Sequence, residues 1–295
     1  MSDNPYKVLE DIQPSKEFFI GIDSDGCAFD TMEIKHKECF CPNTVKYWEL
    51  QKISKYVREA WDFVNLYSKT RGCNRFHALL RVFDLLSERK EVKARNAEIP
   101  KVESLRKWVA NETKLGNPVL KKYAAEVNDP VISKALEWSL AINEMIAGMV
   151  YGIPPFPFMK ESLVKLSGKA DSMVVSQTPV EALQREWEEN GMAGYVKLIA
   201  GQEYGTKAEH LKYGAKGKYP DNKILMIGDA PGDYKAAKTN GVLFYPINPG
   251  HEEASWERFY NESLDKFFDG TYAGDYEKSL IEEFDGYLPE NPPWE

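Results

Sequence analysis

The sequence predicts an α/β protein: a parallel sheet core interrupted after its first strand by an all-helical domain. Three observations predict it. Short apolar runs alternate with helix-length amphipathic segments through the second half of the chain. A long stretch between the first run and the next carries helical spacing and no strand signal. The apolar runs end in Asp, Ser and Gly, the residue types found where strands of an open sheet face a ligand.

The first strand is expected at residues 18–23 (FFIGID), and others at 172–177 (SMVVSQ), 223–229 (KILMIGD) and 242–247 (VLFYPI). A weaker one is expected at 195–201 (YVKLIAG). Each is rich in Val, Ile, Leu, Met or Phe and bounded by turn residues, as strands buried on both faces are. The segments between the last four are long enough for βαβ crossovers. In PVEALQREWEENG, Thr178 is placed to cap a helix, Pro179 to fit its first turn and Gly191 to end it. TKAEHLKYGAKG and PGDYKAAKTNG follow the next two strands.

Residues 31–151 read as helix after helix, at 43–69, 74–92, 101–114 and 130–150, with apolar residues three and four apart. Breaks fall at TRGCN, LGNP and NDP. YGIPPFPF returns the chain to the sheet, and a helix at 159–167 leads into the second strand. Residues 252–268 are expected as a surface helix and LPENPPWE as a loop or tail. The domains are therefore a Rossmann-like core, 1–30 and 152–295, and a helical cap, 31–151. Trp48, Trp61, Trp108 and Trp138 are expected in the cap's own core.

With 295 residues, 43% of them hydrophobic and 28% charged, the chain has ordinary globular composition. A net charge of −8 argues against a broad nucleic-acid surface and leaves a local anion pocket open. Cys27, Cys39, Cys41 and Cys73 lack zinc-site or paired spacing and read as reduced thiols. The first residues are polar, and no run approaches the roughly 18 apolar residues a membrane span needs. A cytoplasmic protein is expected.

The chemistry gathers at the strand ends. The first strand runs into Asp23-Ser24-Asp25-Gly26, the second ends in Ser176-Gln177-Thr178, and a later one ends in Gly228-Asp229 followed by Asp233. Lys207 begins the helix between the last two groups. Asp23 and Asp25, two apart, face one side if the chain stays extended. Carboxylates this close repel by roughly 4 kcal/mol at about 4 Å and an effective dielectric of about 20. Hard oxygen ligands suit Mg²⁺, which would offset that repulsion. One carboxylate would then attack phosphorus, and a second would protonate the leaving oxygen and later activate water. Ser176, Gln177, Lys207 and backbone N–H groups would hold the phosphoryl oxygens, with Gly26 allowing the sharp turn that brings amides close.

The pattern D-x-D-G-x-x-x-D at residues 23–30, a strand-end Ser176, a lysine and G-D-x-x-x-D at residues 228–233 resembles the haloacid dehalogenase (HAD) superfamily. It resembles the phosphatase branch with a helical cap between the first and second motifs, over about residues 16–30 and 155–250. The resemblance implies Asp23 as nucleophile, Asp25 as general acid/base, Ser176 as phosphate ligand and Lys207 as stabiliser of phosphate and nucleophile. It implies Mg²⁺ on Asp23, the Asp25 carbonyl and Asp229, with Asp233 as ligand or support. Dehalogenases of the superfamily lack the second aspartate, so Asp25 favours phosphoryl transfer. Cys27 stands where the phosphatases usually carry Thr or Val.

The expected activity is Mg²⁺-dependent hydrolysis of a small phosphate monoester through an aspartyl-phosphate, the cap excluding water and large substrates. A phosphomutase would use the same residues, and a phosphate or metal sensor would hold the site without turnover. Lys212 and Lys218 are alternatives to Lys207, and Asp30 reads as a cap of the next helix. Lys69, Arg71 and Arg75 cluster at a helix–helix turn, as solvated surface charge or as a contact to a substrate's remote group. The four histidines show no ligand spacing.

Overall fold

Five parallel strands form the sheet in a computed structural model that describes residues 4–294. They are β1 Phe18–Ile22, β2 Ala170–Val175, β3 Leu198–Ala200, β4 Ile224–Gly228 and β5 Leu243–Pro246, in the order β3-β2-β1-β4-β5. The chain builds outward from β1 to β3, then returns to place β4 and β5 on the other side. The reversal lies between β1 and β4, the kind of position where open α/β sheets bind ligands.

Successive residues alternate between the two faces, as the pleat requires. Ile20 and Ile22 of β1, Val174 of β2 and Leu225 and Ile227 of β4 share one apolar cluster with Trp187, Tyr245 and Trp256. Phe19, Met173, Val175, Ile224 and Met226 share the opposite one with Leu211, Phe244 and Phe284. Both faces are covered, so the strands read as largely apolar runs, with the polar Asp171 and Ser172 near the start of β2.

The chain divides into two compact units. One holds the sheet, with residues 4–32 and Gly152–Leu288; the other is helical, with Glu33–Tyr151 and residues 289–294. The helical unit contains Cys41–Tyr47, Ser54–Asn65, Arg75–Glu88, Glu103–Asn111, Asn117–Val127 and Pro130–Met149 among its helices. Trp48, Trp61, Trp108 and Trp138 sit in its core. Asn74 caps the Arg75–Glu88 helix and Asp129 caps Pro130–Met149, each side chain accepting from main-chain N–H groups.

Several elements differ from the sequence reading. The Val180–Glu189 helix has Pro179 as its N-cap, and Thr178 turns its hydroxyl elsewhere. Residues 252–268 form two α-helical segments joined through a π-helical turn at Phe259–Ser263, and they bury Trp256, Phe259, Leu264 and Phe267. The Asp275–Tyr287 helix, absent from the sequence reading, buries only Leu280 and Phe284, too few to show a period. Asn117–Val127, also unforeseen, buries only Leu120. Residues 289–294 group with the helical unit, where Trp294 stacks on the Arg89 guanidinium and meets Phe63 edge-on. The four cysteines are free thiols, and no helix among the described residues is long and apolar enough to cross a membrane.

Candidate active site

Asp23 directly follows β1, and its N–H donates to Ile227 O of β4 at 3.0 Å. That bond continues the β1–β4 pairing by one step and brings the two strand ends level. Asp229 directly follows β4. Asp233 lies on the first turn of the Pro231–Asn240 helix and folds back, its Oδ2 accepting the Ala230 N–H at 3.1 Å. Oxygens of Asp23, Asp229 and Asp233 lie within 4.8 Å of one another. The three residues are 4%, 1% and 0% exposed. Gly228 makes this possible: a Cβ there would fall 2.3 Å from Asp233 Cβ and 2.4 Å from its Cγ.

Lys207 supplies the cation. Thr206 and Glu209 close a capping box at the start of its helix, which fixes Lys207 at the first turn. Its Nζ donates to Asp23 Oδ2 at 2.7 Å and to Asp233 Oδ1 at 2.6 Å. Lys218 instead donates to the carbonyls of Leu9 and Glu10, and Lys212 lies over the Tyr213 ring. Burial alone would lower the Lys207 ammonium, but Asp23, then Asp233 and Asp229, more than reverse it and hold it above the ordinary lysine range. Burial pushes the Asp23 carboxyl well up; Lys207 opposes this, while Asp233 and Asp229 add to it.

Asp25 stands apart from this cluster. Its Oδ1 accepts from the Thr31 hydroxyl, and its Oδ2 accepts from Thr178 Oγ1 at 2.6 Å. Residues 24–29 form a tight loop in which the N–H groups of Cys27, Ala28 and Phe29 all donate to Ser24 O. Gly26 adopts φ +74° there, and its own N–H donates to Phe29 O at 2.9 Å. Cys27 is fully buried, and its carbonyl accepts the Trp256 indole N–H at 2.7 Å. This position therefore calls for a small, buried side chain.

Ser176, 2% exposed, directly follows β2, and its N–H donates to Ala200 O of β3. Its Oγ accepts the Thr178 N–H at 3.2 Å. Gln177 braces the loop that precedes Lys207, donating from Nε2 to Gly205 O at 2.9 Å. Thr178 is the residue whose role sequence reasoning missed. A hydroxyl before a helix signals a cap equally well, so nothing local distinguished the two uses.

Three carboxyl groups gather around one ammonium in a buried setting. The donors are hard oxygens, and no thiol or imidazole belongs to the cluster. This set fits Mg²⁺ better than a softer ion.

No protein-family profile and no curated protein matches the sequence. Among solved structures the chain is similar to a putative phosphoglycolate phosphatase from Lactobacillus delbrueckii subsp. bulgaricus, with TM-score 0.48 and 15% identity over 88% of this chain and 100% of that one. It is also similar to a β-phosphoglucomutase from Clostridium difficile, with TM-score 0.46 and 13% identity over 86% and 97%. A haloacid dehalogenase-like family hydrolase from Streptococcus pneumoniae gives TM-score 0.45 and 16% identity over 83% and 91%.

Proposed function

We propose that the chain is a HAD-type phosphatase that hydrolyses small phosphate monoesters through an aspartyl-phosphate. The observation that supports this reading is the meeting of Asp23, Asp229 and Asp233 around one point, with Lys207 bridging two of them. In this reading Asp23, Asp229, Asp233 and the Asp25 carbonyl hold Mg²⁺. When bound, the ion supplies positive charge to the phosphoryl oxygens.

An Asp23 oxygen forms the new bond to phosphorus while the bond to the leaving oxygen breaks. Protonated Asp25 gives its proton to that oxygen. The Asp25 carboxylate then takes a proton from water, which attacks phosphorus and releases inorganic phosphate with Asp23 restored. Lys207 holds its ammonium throughout and orients the Asp23 carboxylate. Ser176, at the neighbouring strand end, donates to a phosphoryl oxygen.

The test is phosphate release from an aryl phosphate with Mg²⁺. Asp23→Asn and a chelator should each reduce turnover to background. Turnover that survives either one contradicts the assignment.

A further inference from the structure

Several arginines of the described residues face carboxylates: Arg89 faces Glu59 and Glu91, Arg106 faces Asp84, Arg185 faces Glu189, and Arg258 faces Glu283. Arg75 differs. It opens the Arg75–Glu88 helix of the helical unit, half-buried, and no carboxylate of the described residues pairs with it. Its Nη1 alone is held, by Ser139 O at 3.2 Å, Ser139 Oγ at 3.0 Å and Asn143 Oδ1 at 2.7 Å. All three acceptors are neutral. The guanidinium lies over the Phe40 ring, with its central carbon 5.0 Å from the ring centroid.

This arrangement fixes the group and leaves part of it unused. Ser139 is fully buried and its hydroxyl donates to Asn117 Oδ1 at 2.5 Å, so the support is itself anchored. A guanidinium carries five N–H donors in a rigid fork. Nε and Nη2 meet no acceptor among the described residues, and neither is sealed from solvent. Together they form the side-on edge that matches the two oxygens of a carboxylate or phosphate. Burial also pushes Arg75 down to about 10, with no opposing carboxylate. An anion on the open edge would relieve that penalty.

We infer that Arg75, pinned through Nη1 by Ser139 and Asn143 and stacked on Phe40, is a binding site for a small oxyanion, a carboxylate or phosphate group, taken bidentately on Nε and Nη2. The ligand this edge fits is a free small oxyanion.

The site is read directly by nuclear magnetic resonance on the full chain with isotope-labelled arginine and no added metal. The Arg75 Nε–H resonance, assigned by its loss in Arg75→Lys, should shift saturably with malonate or inorganic phosphate and stay put with chloride at equal ionic strength. Lysine keeps the charge and loses the fork, so Arg75→Lys should weaken malonate binding, followed by calorimetry, about tenfold. No response of that resonance to either anion overturns the site, whether or not the chain hydrolyses phosphate esters.

Discussion

Thr178 Oγ1 donates a 2.6 Å hydrogen bond to Asp25 Oδ2, joining the end of β2 to the loop after β1 across 153 residues. With Thr31 on the other oxygen, both lone-pair faces of the Asp25 carboxylate receive hydroxyl donors. The two contacts hold the Asp25 carboxyl in one orientation.

Thr178→Val removes one of these donors without changing side-chain volume. kcat should fall about tenfold, in line with a bond to a charged group, while KM changes little. Thr178→Ser should restore kcat. A kcat unchanged in Thr178→Val would remove Thr178 from the positioning of Asp25.

The convergence of Asp23, Asp229 and Asp233 makes a metal prediction. Mg²⁺ should raise the melting temperature of the wild-type chain; at 100 times its dissociation constant the gain is about 2.7 kcal/mol. Asp229→Asn should abolish that response. The same variant, with one buried charge removed, should gain about 1 kcal/mol without metal, the common trade of function for stability. Thermal melts of both chains with and without Mg²⁺ read all of this. A full Mg²⁺ shift in Asp229→Asn would place the ion elsewhere.

The strands were legible because burial on both faces makes them mostly apolar; β2, expected at 172–177, starts two residues earlier because buried Asp171 breaks its apolar run. Lys207 was legible because Thr206 and Glu209 mark a helix start next to a strand end. The separation of Asp25 from the metal-type cluster was not, since two-residue spacing says which way side chains face only while the chain stays extended. Here β1 ends at Ile22, and residues 24–29 curl into a loop closed on Ser24 O. The Asp275–Tyr287 helix was not legible for a different reason. It attaches through two buried apolar residues and through polar bonds, Glu277 Oε1 accepting the Phe244 N–H and Glu283 bonding Asn248 and Arg258. Such contacts leave no periodic trace.

The contact between Gly228 and Asp233 has a direct consequence. Gly228→Ala would set a methyl 2.3 Å from Asp233 Cβ, so the aspartate must move. Overpacking of this kind costs about 1–3 kcal/mol. Displacement of a site group by about 1 Å can lower turnover about a hundredfold. The variant should therefore lose both stability and the Mg²⁺-dependent melting shift. Wild-type turnover in Gly228→Ala would show that Asp233 serves only the helix terminus.

His210, one turn beyond Lys207 and fully buried, sets an acid limit on stability. Burial pushes its imidazole down to about 4 from an ordinary value of 6.5. The unfolded chain therefore takes up this proton before the folded one does. Stability is fully present above pH 6.5 and is lost as pH falls toward about 4, by roughly 3 kcal/mol in total. Asp23 contributes with the opposite sign in the metal-free chain, since its raised carboxyl binds a proton more readily when folded. Comparison with His210→Leu cancels that contribution. Denaturant unfolding of the two chains across this range should show the wild type losing ground to the variant steadily as pH falls. A constant difference between them would mean that His210 is protonated equally in both states, and therefore that water reaches it.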